Sequence, residues 1–263
     1  MFHTNTKNGL TILTADTLSG MCHGFSTRPG GVSPAPWDSL NLGVGRGDEI
    51  ARVQENYRRF FAALDMDSAY PVLSRQVHRD DVRLCTAADA GKGLIRDRDY
   101  DADALITAEK GLPLVVFSAD CGILLLHDPD AGCVGAVHAG WRGCAAGIVE
   151  KTVREMVRLL GARPERILAA VGPCIGKCCF ETDGDVPEAM RASALGPEAE
   201  PYLERRGPKY HVDLAGLNRQ WLLHAGVAPE HIDICGLCTA CRPDLFWSHR
   251  KMGNARGAQV AMI

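Results

Sequence analysis

Residues 112–138 read LPLVVFSADCGILLLHDPDAGCVGAVH. Within them, Leu112–Phe117, Ile123–Leu126 and Cys133–Val137 are apolar runs too short for helices and rich in β-branched residues, so they are predicted to be buried strands. Asp128-Pro129-Asp130-Ala131-Gly132 is a turn signal between the second and third. If that turn closes an antiparallel hairpin, residues whose numbers sum to about 259 or 260 face each other. Cys121 and His138 are then opposite, on one face, with Cβ atoms about 4.5–5.5 Å apart. That separation suits two ligands of one zinc ion. The inference requires the ladder to continue through Gly122, where a bulge is the alternative. A one-residue slip would put the two groups on opposite faces.

Working outward, Val53, Tyr57, Phe60, Phe61 and Leu64 recur on one face of an amphipathic helix. A second helix is predicted from about Ala145 to Leu160, with Ile148, Val149, Val153, Met156, Val157 and Leu160 inward and Gly161 as its stop. A third runs over Leu214–Ala225, with Asp213 as N-cap and Gly226 at its end. Ser26–Gly47 is a long loop. Its interspersed Val32, Trp37, Leu40 and Leu42 mark it as ordered rather than disordered. Strands outnumber helices and at least one connection is a hairpin, which favours α+β with mixed sheets over a doubly wound fold.

Composition excludes several classes. The 263 residues are 46% hydrophobic and 23% charged, an ordinary globular balance. A net charge of −3 provides no basic field for a nucleic acid or an anionic membrane. No apolar run approaches the ~20 residues of a membrane span, and Met1–Asn5 shows neither the basic nor the apolar region of an export signal. A cytoplasmic protein is expected. Eleven cysteines, an odd number, then read as reduced thiols used for packing or metal binding.

A third ligand for the Cys121–His138 pair is best sought in Gln76-Val77-His78, after the strand entry Pro71-Val72-Leu73. A lone histidine is more often a satisfied core or surface residue, and for the Cys121–His138 pair the hairpin arithmetic brings the two readings level. Two imidazoles and a thiolate leave a fourth tetrahedral position open, as catalytic zinc sites do. Arg142 precedes the small-residue segment Gly143–Gly147, so a guanidinium and free helix N–H groups would make an anion site. Asp103, in Asp101-Ala102-Asp103 before a strand, is either acid–base machinery or a solvated turn. Cys235-x-x-Cys238-x-x-Cys241 fits a structural metal site or buried thiols, with Cys174 and Cys178-Cys179 distant in sequence.

Thr27-Arg28-Pro29-Gly30-Gly31-Val32-Ser33, Ser39-Leu40-Asn41-Leu42-Gly43, Gln76-Val77-His78, Asp101-Ala102-Asp103-Ala104, Ala119-Asp120-Cys121, His138-Ala139-Gly140-Trp141-Arg142-Gly143 and Gly172-Pro173-Cys174-Ile175-Gly176 occur in that order, with Cys238-Thr239 and Phe246-Trp247-Ser248-His249-Arg250 in the tail. Together they resemble the YfiH-type proteins, long labelled multicopper polyphenol oxidases or laccase-domain proteins, over nearly the whole chain. The resemblance implies one domain over residues 1–263, with two mixed β-sheets flanked by helices in α/β/β/α layers. It implies zinc (Zn2+), with copper (Cu2+) as the alternative ion, held by His78, Cys121 and His138. The implied activity is phosphorolysis of adenosine, inosine, guanosine and S-methyl-5′-thioadenosine, with adenosine deamination. Alternatives are a hydrolase that edits peptidoglycan precursors and a copper-dependent polyphenol oxidase. The oxidase would also need a histidine-rich cluster for oxygen, which nine scattered histidines do not supply.

On this reading Cys121, Asp103 and Arg142 are catalytic, and Arg28, Asn41, Gln76 and Arg250 contact substrate or phosphate. Cys121 is ligand, nucleophile or both. The expected partners are purine nucleosides and phosphate, with no nucleic acid and no membrane, and the chain is a monomer or weak homodimer. Where the family often has His, this chain has Gly45 or Arg46. Where it often has Tyr, this chain has Phe180 or His249. Such departures would alter substrate contacts and leave the metal trio intact.

Overall fold

The predicted hairpin is the centre of the molecule. Strands Gly122–Asp128 and Cys133–Ala139 pair antiparallel, from Asp128 opposite Cys133 to Gly122 opposite Ala139. The structure is a computed structural model that describes residues 1–66 and 70–263. Partner numbers sum to 261, so the register differs from the expected one by two residues, a shift that keeps every side chain on its face. Ile123, not Cys121, lies opposite His138. The cause is at the turn. The Asp128 carboxylate accepts N–H bonds from Asp130, Ala131 and Arg163, which fixes Asp128 as the last paired residue and moves the turn toward Gly132.

The hairpin belongs to a six-stranded sheet in the spatial order Ile232–Ile234, Leu168–Val171, Gly122–Asp128, Cys133–Ala139, Ala104–Thr107, Val82–Leu84. A second six-stranded sheet runs Phe2–Lys7, Leu10–Ala15, Gly24–Ser26, Gln259–Met262, Leu114–Ser118, Val72–Leu73. Both are mixed. Val72–Leu73 is parallel to Leu114–Val115 in one, and in the other Val82–Leu84 is parallel to Ala104–Ile106 and Ile232–Ile234 to Ala169–Val171; the remaining pairs are antiparallel. A small three-stranded sheet, Glu181–Thr182, Lys209–Val212 and Leu203–Arg206, stands apart.

Period-two alternation gives each large sheet two apolar faces. Phe25, Leu114, Val116 and Ala261 of one meet Leu105, Ile123, Leu125 and Ala136 of the other in a shared core. On the far side of the first sheet, Val115, Phe117 and Val260 pack on Val53, Tyr57 and Phe60 of helix Ile50–Ala63. On the far side of the other, Leu124, Leu126 and Val137 pack on Ile148, Val153 and Met156 of helix Ile148–Leu160, and on Trp221 of helix Leu214–His224. The layers are therefore helix, sheet, sheet, helix, and the fold is α+β, as the sequence implied.

Asp213 caps the last of these helices through the Gly216 N–H (2.9 Å), as expected. Two details differ from the sequence reading. The helix predicted from Ala145 is broken, because Gly147 adopts φ +75° between a short helix Trp141–Ala145 and Ile148–Leu160. Val157, placed inward by periodicity, is 38% exposed at the edge of the apolar stripe. The loop after Ser26 is ordered by Asn56, which accepts from Val32 N–H and donates to Ser33 Oγ and the Asn41 carbonyl. Among the described residues, no helix is long and apolar enough to cross a membrane.

Candidate metal centre and its cleft

Three segments converge where the chain passes between the two large sheets. His78 follows the strand Val72–Leu73 of one sheet. Cys121 lies in the passage from Leu114–Ser118 to Gly122–Asp128, that is, from one sheet to the other. His138 is on the hairpin's second strand. Cys121 Sγ and His78 Nε2 are 3.8 Å apart, and the donor atoms of all three residues lie within 4.8 Å of one another. The histidine rings meet edge to face at 4.9 Å. The two-residue register difference therefore leaves the trio together, since Cys121 stays on the His138 face as its diagonal neighbour.

The backbone here is held in uncommon conformations. His78 has φ +62° and Asp120 φ +93°, positions that side-chain-bearing residues rarely take and that cluster at functional sites. Asp103 holds the first. Its carboxylate, fully buried, accepts N–H bonds from Val77 (3.1 Å), His78 (3.0 Å) and Arg79 (2.9 Å). The same carboxylate receives His138 Nδ1 at 2.8 Å, which leaves His138 Nε2 for a metal. Asp120 anchors the second segment, accepting Thr239 Oγ1 at 2.6 Å and the Arg250 N–H at 2.7 Å. Gly140 makes room, since a Cβ there would sit 2.9 Å from Cys121 Sγ.

The donor set suits a borderline metal ion: two neutral imidazoles, one thiolate and a carboxylate behind a histidine. Burial raises the Cys121 thiol, yet the His138 charge and the hydrogen bonds from His138 and His78 together outweigh that and lower its pKa. Burial lowers His138, but Cys121 and Asp103 together raise it above its usual value.

The trio opens into a cleft of about 430 Å³, within the roughly 300–1,000 Å³ usual for small-ligand sites. Phe117, Trp141 and Phe180 line it with flat apolar surface, and Arg46, Arg250 and Arg256 bring guanidinium groups. Arg256 is 7% exposed. Burial, with Arg46 nearby, depresses its pKa to about 10, and its Nε has no partner among the described residues.

The other expected residues are divided between the cleft and its surroundings. Asp103 is fully buried behind the histidines and does not line the cleft. Arg142 is exposed and stacks 4.2 Å over the Trp141 ring, outside the cleft. Arg28 is consumed elsewhere: it donates to Asp38 and to the Pro243 carbonyl and lies over Trp247. Asn41 is fully buried, bonding Asp48, Gly43 N–H and Ala258 N–H, and so braces the loop that carries Arg46. Gln76 and Arg250 do line the cleft. The Gln76 amide pairs with both backbone groups of Phe117, and the Arg250 guanidinium donates to the Cys179 and Glu181 carbonyls.

Arg256 and Asn254 were not anticipated, because they sit in a polar segment without periodicity. Arg46, Phe180 and His249 had a signal. They are positions where the chain departs from the resembled pattern, and all three line the cleft.

Comparison with known proteins identifies the family and the fold. The sequence model of the family described as multi-copper polyphenol oxidoreductase laccase matches residues 22–263. The chain is 42% identical over 258 residues to a protein of Deinococcus radiodurans named purine nucleoside phosphorylase, covering 98% of this chain and 94% of that one. It is 40% identical over 226 residues to the purine nucleoside phosphorylase YfiH of Escherichia coli, covering 86% of each. The crystal structure titled hypothetical protein YfiH, from Bacillus licheniformis, superposes with a TM-score of 0.92 at 32% identity, covering 98% of this chain and 97% of that one.

Proposed function

This chain belongs to the multi-copper polyphenol oxidoreductase laccase family, and from that premise we propose that it is a zinc-dependent purine nucleoside phosphorylase. Its substrates on this reading are adenosine, inosine, guanosine and S-methyl-5′-thioadenosine, with adenosine deamination as a second activity. One observation carries the reading: the His78–Cys121–His138 trio faces a cleft that combines aromatic walls with three arginines. The names of the relatives point the same way.

His78, Cys121 and His138 would hold the ion, and zinc there would supply a Lewis acid with one open position. Cys121 acts as ligand in this scheme. Phe117, Trp141 and Phe180 offer faces for a flat base and exclude water from it. Arg46 and Arg256 replace Arg142 and Arg28 as holders of phosphate, a role suited to guanidinium forks. In the reaction a phosphate oxygen bonds to C1′ as the C1′–N9 bond breaks. The bonding pair leaves with the base, and the proton of hydrogen phosphate ends on the base. The arginines hold the nucleophile in line, and such positioning supplies much of the rate. In deamination the same pocket would place water on C6 of the adenine base, the C6–N6 bond breaking as ammonia leaves with one proton that water gives up and the other ends on the base.

Chromatography of adenosine incubated with the purified protein, with and without phosphate and beside His138→Ala, tests this. Adenine formed only with phosphate, and only by the wild type, is the expected result. Inosine in both buffers would make deamination primary. Untouched adenosine would end the nucleoside reading for this substrate and favour the hydrolase on cell-wall precursors. Oxygen uptake with phenols by a copper-loaded protein would favour the oxidase.

A further inference from the structure

We propose that Cys178, Cys179, Cys238 and Cys241 form a second metal centre, a tetrathiolate site for one zinc ion. The sequence reading had grouped Cys235 with Cys238 and Cys241. The fold instead sends Cys235 elsewhere and brings up the distant pair Cys178-Cys179, so that four sulfurs lie within 4.8 Å of one another. Cys178 and Cys179 are each 3.4 Å from Cys241. In a tetrahedron with Zn–S bonds near 2.3 Å, sulfurs are about 3.8 Å apart, close to what is seen. A disulfide would need about 2.05 Å.

The surrounding backbone is shaped for thiolates. The two segments run side by side through the Cys174–Cys238 bridge, and the Thr239 N–H donates to the Cys174 carbonyl at 3.0 Å. The Gly176 N–H donates to Cys238 Sγ (3.2 Å), the kind of contact that stabilises negative charge on a metal-bound sulfur. A Cβ on Gly176 would lie 3.1 Å from Cys238 Cβ and 3.4 Å from Cys178 Sγ, so a side chain there would crowd the two segments. Four thiolates around a divalent ion leave two net negative charges, and Arg206 lies close enough to Cys178 to interact with it electrostatically. All-sulfur tetrahedral sets select zinc or iron, and a closed set of four is the structural kind.

The site sits behind the cleft rather than in it. Ile175 and Phe180, on either side of Cys178-Cys179, line the cleft wall, and the Cys179 carbonyl receives Arg250. The ion would therefore pin one wall of the cleft without meeting the substrate.

Metal content of the full-length protein, expressed with zinc and purified under reducing conditions, tests the proposal without reference to activity. Two zinc equivalents per chain are expected. Cys178→Ser with Cys241→Ser should fall to one, His78→Ala with His138→Ala should also fall to one, and Cys235→Ser should keep two. Cobalt loaded into the histidine double variant should give the intense visible and thiolate charge-transfer bands of four sulfur ligands. Titration of the wild type with an organomercurial should release two equivalents, a readout that does not depend on the variants folding. A single equivalent in the wild type, lost with the histidines and unaffected by the cysteine changes, would overturn the proposal. So would an intact mass showing Cys178, Cys179 or Cys241 already joined in disulfides under these conditions.

Discussion

Asp103 shows how much one side chain can arrange. It fixes three consecutive N–H groups around His78 and the tautomer of His138. Asp103→Asn keeps the volume but replaces an acceptor oxygen with a donor and removes the charge. Loss of such partners typically costs about 10–100-fold in metal affinity. Competition with a chelator should show a drop of that size in zinc affinity at the trio, with the circular dichroism spectrum retained. Unchanged affinity would make Asp103 a packing residue only. Sequence could name Asp103 but not its role, because a carboxylate at a strand start is compatible with facing solvent, touching substrate or holding a neighbouring histidine. Only the tertiary fold buries it.

Elements with a strong period were legible in the sequence. Val53, Tyr57 and Phe60 located their helix, and Asp213 with Gly226 bounded another. The break at Gly147 was hidden, because Ala145-Ala146-Gly147 reads as continuous helix and the reason to stop lies across the fold. A Cβ on Gly147 would approach Trp221 to 3.1 Å from a residue at φ +75°. Gly147→Ala should therefore cost about 1–3 kcal/mol, measurable as a lower urea midpoint with an unchanged slope. The hairpin register was off by two for a similar reason: the turn's own carboxylate, not its composition, decides where pairing ends. A second element, the 3-10 turn Ala87–Asp89, is closed by a reciprocal cap between Thr86 and Asp89. Burial raises the Asp89 pKa, but the Thr86 N–H, Arg83 and Lys92 outweigh it and depress the carboxyl below its usual value. A depressed carboxyl adds stability above its unfolded pKa of about 4 and loses it as pH falls through the lower folded value. Asp89→Asn should then lower the melting temperature at pH 7 and narrow the gap from wild type below pH 4.

Across the whole molecule, the mixed sheets and the meeting of His78, Cys121 and His138 were readable because hairpin parity survives an even register error. The arginines of the cleft were not, since they come from loops that only packing brings together. If zinc binds the native trio and not the unfolded chain, its binding energy adds to folding stability, by about 2.7 kcal/mol at a free concentration 100 times the dissociation constant. Dialysis against a strong chelator should lower the thermal midpoint, and zinc should restore it, in a protein with both cysteines of the 178–179 pair changed to serine. That background confines the effect to the trio.

The trio's placement has a mechanical consequence. Its donors come from either side of the seam between the large sheets: His78 after a strand of one, His138 within the other, and Cys121 on the chain crossing between them. Any relative movement of the two sheets at that seam changes the spacing of the three donor groups. An ion held by all three would therefore tie the sheets together at one crossing point. Amides of both sheets near Phe117 and Val137 should then gain protection from deuterium exchange together when the ion is added.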